Sequence, residues 1–215
     1  AKAAAAQGAE IALTYQGDAL KKRVGPLAAE LGSELILPCD VTDTASMDAL
    51  FSQIESSWGQ LDFLVHAIAF SDKSELDGRY VVTSEKNFTQ TMLVSCYSLT
   101  ALAARAEKLM TAGGSILTLT YYGAEKVVDH YNVMGPVKAA LEASVRYLAH
   151  ELGHKGIRVN AISAGPIRTR AASGIENFDE LLSEAAAKAP LRRTVDACEI
   201  GRVSVVLASD YAASV

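Results

Sequence analysis

Residues 116–162 read ILTLTYYGAEKVVDHYNVMGPVKAALEASVRYLAHELGHKGIRVNAI. Both ends of this stretch, 116–119 and 159–162, are short apolar runs with β-branched residues, the composition of buried strands. Between them, residues 131–152 repeat apolar side chains at helical spacing, and a helix of that length can cross from one parallel strand to the next. The same rhythm runs upstream, with strands predicted at 11–15, 35–39 and 63–66 and helices at 19–31, 45–58 and 85–110. Gly8, Gly32, Gly113 with Gly114, and Gly153 each follow a helical stretch and precede a strand. The alternation predicts an α/β protein built on a doubly wound parallel sheet.

The chain has 215 residues, 50% of them hydrophobic and 21% charged, which suits one large core and a single domain over 1–215. A net charge of −5 with the signs intermixed leaves no basic stripe for a nucleic-acid backbone. The apolar runs fall short of the roughly 18 residues of a membrane span. Cys39, Cys96 and Cys198 are odd in number and widely separated. They make neither a disulfide framework nor a metal site, and they read as reduced core cysteines of a cytoplasmic protein. Residues 1–7 are Ala-rich, with no initiator Met and no signal layout, so the chain is expected to begin inside a helix. One segment, 164–193, breaks the strand–helix rhythm before a last helix at 197–208. A long excursion after a strand's carboxyl end is where such folds place a substrate-covering loop.

Tyr131-Asn-Val-Met-Gly-Pro-Val-Lys138 sets a Tyr and a Lys seven positions apart. Within one helix they would share a face, about 10 Å apart along the axis. Tyr121 lies ten residues upstream in Leu117-Thr-Leu-Thr-Tyr-Tyr-Gly123. Downstream stand Arg158-Val-Asn-Ala-Ile-Ser-Ala-Gly-Pro-Ile-Arg-Thr169 and Ala171-Ala-Ser-Gly-Ile175. In these motifs the chain resembles the enoyl-[acyl-carrier-protein] reductase branch of the short-chain dehydrogenase/reductase superfamily. Ordinary members of that superfamily, ketoacyl reductases among them, place Tyr and Lys four apart, but residue 135 here is Gly. The plainer readings are an interface-packed Tyr131 and a solvated Lys138. A non-catalytic Rossmann-like binding protein is the alternative from another class.

The resemblance implies a Rossmann-like fold, NADH in preference to NADPH, and reduction of the double bond of a trans-2-enoyl thioester carried by acyl carrier protein. It implies Tyr121, Tyr131 and Lys138 as catalytic residues, although Tyr121 and its neighbour Tyr122 could simply pack on opposite faces of a strand end. A protonated tyrosine hydroxyl can donate a hydrogen bond that strengthens as charge builds on the thioester oxygen. Lys138 would anchor the nicotinamide ribose. For the cofactor it further implies Ala67, Ile68 and Ala69 beneath the dinucleotide, and Pro166, Ile167 and Thr169 around the nicotinamide. The adenine end would fall to Gln16, Asp40 and Val41, with Asp40 also readable as a helix-capping or turn carboxylate. The uncharged Gln16 leans toward NADH, with Lys21, Lys22 and Arg23 read as a solvated helix face. For the acyl chain it implies Met134, Ala171, Ala172, Ile175 and Phe178 beside the two tyrosines, and for assembly a homotetramer through 85–110 and 131–152. Two parts of the family pattern have no counterpart here: the first strand with its Gly-rich turn, and the last strand. Pro136, inside the presumed catalytic helix, calls for a kink or a helix start near Tyr131.

Overall fold

The structure, a computed structural model, describes residues 1–167 and 178–215. The strands are β1 (Ala12–Tyr15), β2 (Leu35–Pro38), β3 (Phe63–His66), β4 (Gly114–Thr120) and β5 (Ile157–Ser163). The helices are α1 (Lys2–Ala5), α2 (Gly17–Leu31), α3 (Thr44–Trp58), α4 (Glu85–Met92), α5 (Ser98–Leu109), α6 (Met134–Leu152), α7 (Phe178–Lys188) and α8 (Ala197–Ala208). All pairing is parallel: β1 with β2, and β3 with β4 with β5, in that order. Among the described residues β1 and β3 are not joined, so the strands form two sheets.

Local chemistry sets the helix starts. Asp43 caps α3 by accepting from Ala45 N, and Ser84 caps α4 by accepting from Asn87 N. Asp196 and Glu199 form a reciprocal capping box on α8. A single apolar cluster runs through both sheets, from Cys39 and Phe51 to Leu99, Ile116, Leu141 and Ile157. The last four are fully buried, and each removal from water contributes about 1.5–3 kcal/mol. The entries to β4 and β5 touch closely: a Cβ on Gly113 would lie 2.8 Å from Gly156 O, a contact only glycine permits.

Three expectations need correction: Tyr131 within the helix, an unbroken helix over 85–110, and a buried Cys198. Helix α6 begins at Met134, so Tyr131 precedes the helix and the two residues do not share a helical face. Pro136 is then the third residue of the first turn, where a backbone N–H has no intrahelical acceptor, so a helix start near Tyr131 accommodates it, as one of the two expectations had it. The helix at 85–110 is divided into α4, a wide π turn at Leu93–Tyr97, and α5. Gly153 is the C-cap of α6, as expected, with right-handed backbone, and Gly156 (φ 72°) makes the turn into β5. Cys39 and Cys96 are buried, but Cys198 lies exposed in the first turn of α8.

His66, at the end of β3, is 1% exposed. Its Nε2 lies 2.8 Å from Ser98 Oγ and its Nδ1 lies 2.8 Å from Thr118 Oγ1. Ser98 Oγ also donates to Val94 O at 2.6 Å and Thr118 Oγ1 to His66 O at 3.2 Å, so the ring is held between two hydroxyls that are themselves anchored to the backbone. Burial, with the Lys138 cation, pushes its pKa from 6.5 to about 4. The folded imidazole resists a proton that the unfolded one accepts, so stability is lost as pH falls from 6.5 to 4, by about 3 kcal/mol over that window. Urea unfolding midpoints should fall more steeply over that range for the wild type than for His66→Gln, whose amide takes no proton. Parallel curves would show that His66 is not the group responsible.

Candidate active site

Every strand is parallel, so the segments that follow the strands leave from carboxyl ends. Gln16 follows β1, Asp40 and Val41 follow β2, Ala67 to Ala69 follow β3, Tyr121 follows β4, and Pro166 and Ile167 follow β5. Register holds β4 longer than β3: His66 pairs with Thr118, so Thr120 and Tyr121 run on past the end of β3.

Tyr121 and Tyr131 meet edge to face, ring centroids 5.1 Å apart and planes at 68°. Tyr122 is 53% exposed, so of the adjacent pair it is Tyr121 that turns inward. Burial raises the pKa of both hydroxyls, Tyr131 well above the ordinary range and further because of Tyr121, so both stay protonated at neutral pH. Lys138, 7% exposed, donates from Nζ to Leu119 O at 2.7 Å, tying α6 to the end of β4. Burial lowers its pKa from 10.5 to about 8 against the pull of Cys96 and Glu142. Nearby, Thr120 Oγ1 donates to Glu142 Oε1 at 2.7 Å.

The backbone around Tyr131 is unusual. His130 (φ 59°) and Asn132 (φ 32°) both have positive φ, so Tyr131 sits between two non-glycine residues in or near left-handed conformation. Such residues cost on the order of 1–3 kcal/mol each and persist where surrounding contacts fix them. Tyr131 O accepts from Met134 N at 2.9 Å, joining the tyrosine to the first turn of α6. Gly123 leaves room for the ring: a Cβ there would lie 2.6 Å and 2.7 Å from Tyr131 Cδ1 and Cε1. On the expectation that Tyr131 is catalytic, Gly123→Ala should displace the ring and lower kcat by roughly tenfold to a hundredfold, the cost of about 1 Å of misplacement. Unchanged kcat in a folded variant would mean that the ring's position does not matter to turnover.

At the other pair of strand ends, Gln16 Nε2 donates to Asp40 Oδ2 at 2.8 Å. Asp40 Oδ1 accepts from Thr42 N and Thr42 Oγ1, and these bonds, with that of Gln16, lower its pKa. Asp40 thus makes a turn with Thr42, while Asp43 caps the helix. Val41 is buried in the core. Lys21 is not merely a solvated helix residue, since its Nζ lies 5.7 Å above the Tyr15 ring at the end of β1. Ala67 and Ala69 are exposed and Ile68 packs toward the core. Met134 is buried at the start of α6, and Phe178 is half-buried at the start of α7. Thr169, Ala171, Ala172 and Ile175 lie outside the described residues, as does part of the 164–193 segment.

The structure brings in residues that the sequence reading passed over. Asn132, His130, Gly123 and His66 all touch or support this edge. Asn next to the key tyrosine was a usable signal, because Asn is among the few residues that tolerate left-handed backbone.

A doubly wound parallel fold with a buried lysine and two facing tyrosines at the carboxyl end of β4 defines a short-chain dehydrogenase/reductase. The sequence model described as enoyl-(acyl carrier protein) reductase matches residues 1–215. The chain belongs to that family. It is 64% identical over 215 residues to enoyl-[acyl-carrier-protein] reductase [NADH] 1 of Rhizobium meliloti, covering all of this chain and 79% of that protein. Among solved structures, the enoyl-(acyl-carrier-protein) reductase of Anaplasma phagocytophilum in complex with NAD has a TM-score of 0.94 and 56% identity, covering 100% of this chain and 80% of that one. FabI from Candidatus Liberibacter asiaticus has a TM-score of 0.97 and 48% identity, covering 100% and 83%.

Proposed function

We infer that this chain works at the carboxyl edge of its sheet, with Tyr131 as donor to the substrate, Tyr121 beside it and Lys138 as cofactor anchor. As an enoyl-[acyl-carrier-protein] reductase it reduces the carbon–carbon double bond of trans-2-enoyl thioesters in fatty-acid elongation, with NADH. The observation that carries the assignment of roles is the half-buried Tyr121–Tyr131 pair with Lys138 tied to the same strand end.

NADH supplies the hydride. The chain's own task is to hold the acceptor and to stabilise the negative charge that develops on the thioester oxygen. A hydroxyl that stays protonated is suited to this, since its hydrogen bond strengthens as charge builds. Tyr131 is the more deeply buried of the two, and its donor works where water competes least. Lys138 spends one donor on Leu119 O and has two more for ribose hydroxyls.

The edge also fits a dinucleotide. Ala67 and Ala69 offer methyl groups and no bulk, which lets the cofactor approach over Ile68. Gln16, Asp40 and Val41 would take the adenine end. Gln16 carries no charge to attract an additional phosphate, in keeping with NADH. Pro166 and Ile167, with Thr169, would hold the nicotinamide end. Met134 and Phe178, with Ala171, Ala172 and Ile175, would form an apolar wall for the acyl chain. Residues 1–215 would act as one reductase domain, with 164–193 covering the substrate.

Assembly as a homotetramer is supported by Phe88, Tyr97 and Tyr147, large apolar side chains exposed on α4, the π turn and α6. No helix among the described residues is long and apolar enough to cross a membrane, and we place the enzyme in the cytoplasm. Loss of NADH absorbance with a trans-2-enoyl thioester, run beside a ketoacyl thioester, tests the reading. Turnover of the enoyl substrate alone is expected. Reduction of the ketoacyl substrate instead would overturn it.

A further inference from the structure

We propose that Asn132 is a positioning residue that aims the Tyr131 hydroxyl, by clamping the backbone on the far side of the tyrosine to the loop at residues 75–78. The proposal rests on the reading of Tyr131 as the donor to substrate.

Asn132 differs from an ordinary loop asparagine in two respects. Its φ of 32° lies outside the regions most side chains adopt, and it directly follows Tyr131. Its Nδ2 then donates to Glu75 O and Asp77 O, both at 3.1 Å, with Gly78 O at 3.5 Å. An amide nitrogen has two hydrogens, so both donors are spent on one short stretch of another loop. On the near side of the tyrosine, His130 Nδ1 lies 2.6 Å from Asp77 Oδ1, so both left-handed neighbours of Tyr131 are held by the same loop.

That loop is itself well anchored. The Glu75 carboxylate accepts from Ser84 N and Ser84 Oγ, each at 2.8 Å. Asn87, buried on α4, accepts from Asp72 N at 2.9 Å. The chain of contacts therefore runs from α4 through the 71–84 loop to Asn132 and on to Tyr131, whose carbonyl is fixed by the first turn of α6. The clamp fixes where the Tyr131 backbone stands, and from there the ring packs on Tyr121 and over Gly123, which sets where its hydroxyl is presented. A donor fixed in advance loses nothing to reorganisation during the reaction.

The experiment compares Asn132→Gly, Tyr131→Phe and the double variant in the full chain, reading kcat, NADH affinity by fluorescence, and thermal melting. Glycine keeps the backbone freedom and loses only the clamp. Asn132→Gly is expected to lower kcat by about tenfold to a hundredfold with NADH affinity little changed. In the Tyr131→Phe background, where no hydroxyl remains to be aimed, the same substitution should cost less than about threefold, a non-additivity that a purely structural residue would not show. Should the glycine variant fail to fold, Asn132→Asp tolerates the same backbone, removes the donors and should show the same pattern. Full activity in both clamp variants, or an equal loss with and without the Tyr131 hydroxyl, overturns the proposal. If Tyr131→Phe alone leaves kcat unchanged, the donor assignment fails first and the clamp has nothing to position.

Discussion

Tyr131→Phe should lower kcat by roughly 10²–10³-fold, the usual consequence of removing one hydrogen-bond donor from developing negative charge. KM should change little. In the role proposed for it, the hydroxyl is needed most when charge has moved onto the thioester oxygen, and loss of such a donor lowers kcat and kcat/KM together. The ring itself remains in the variant, so its packing against Tyr121 and beside Gly123 is retained, and melting should be close to that of the wild type. Steady-state kinetics with an enoyl thioester give the result directly. A change confined to KM would assign Tyr131 to substrate binding alone.

The second large effect belongs to Lys138. Lys138→Met should weaken NADH binding by about 10²-fold, the equivalent of one charge-assisted hydrogen bond or two. The wild type should show a matching pH dependence. Burial holds the lysine near pH 8, so its cation is present below that pH and is lost as pH rises through it. NADH affinity should therefore decline above about pH 8 in the wild type and stay flat in Lys138→Met. Stability should run the other way. A lysine titrating near 8 when folded and near 10.5 when unfolded leaves the unfolded chain with the greater share of protons between those values, so stability rises with pH there. Opposite trends in affinity and melting separate a titrating anchor from simple alkaline unfolding. Affinity that is flat across pH 8 in the wild type would dismiss the anchor's charge as the cause.

Much of this architecture is legible before any coordinates. All five strands fall where the apolar, β-branched runs place them, because a strand buried in a parallel sheet needs that composition on both faces. The helices follow from period and capping, and Tyr121, Tyr131 and Lys138 are singled out by the resemblance of their motifs to the family. The start of α6 is harder to read. Its N-cap residue is Val133, which makes no capping hydrogen bond, so the usual start signal is missing where the helix begins. The clamp at Asn132 is harder still, since its acceptors are the backbone carbonyls of residues 75–78, and carbonyls are the same in every sequence. The division of helix 85–110 is similarly silent, for the residues of Leu93–Tyr97 are ordinary helix and core types. Cys198 was misread for a related reason: its apolar neighbours on α8 alternate around a helix that is only partly covered.

The wide turn at Leu93–Tyr97 acts on the rotational phase of its helix. Asn87, Thr91 and Ser95, spaced by four, reach Asp72, Ser71 and Phe70 in succession, like teeth engaging a rack. In a regular α-helix a spacing of four overshoots a full turn by about 40°, so a third tooth would already point away from the loop. The wider turn absorbs that overshoot, keeps Ser95 engaged and still delivers Ser98 to His66 three residues later. One helix thereby serves two neighbours in different directions. Its length between residues 87 and 98 is consequently less open to change than its side chains, because a single added or lost residue would disengage every tooth beyond it.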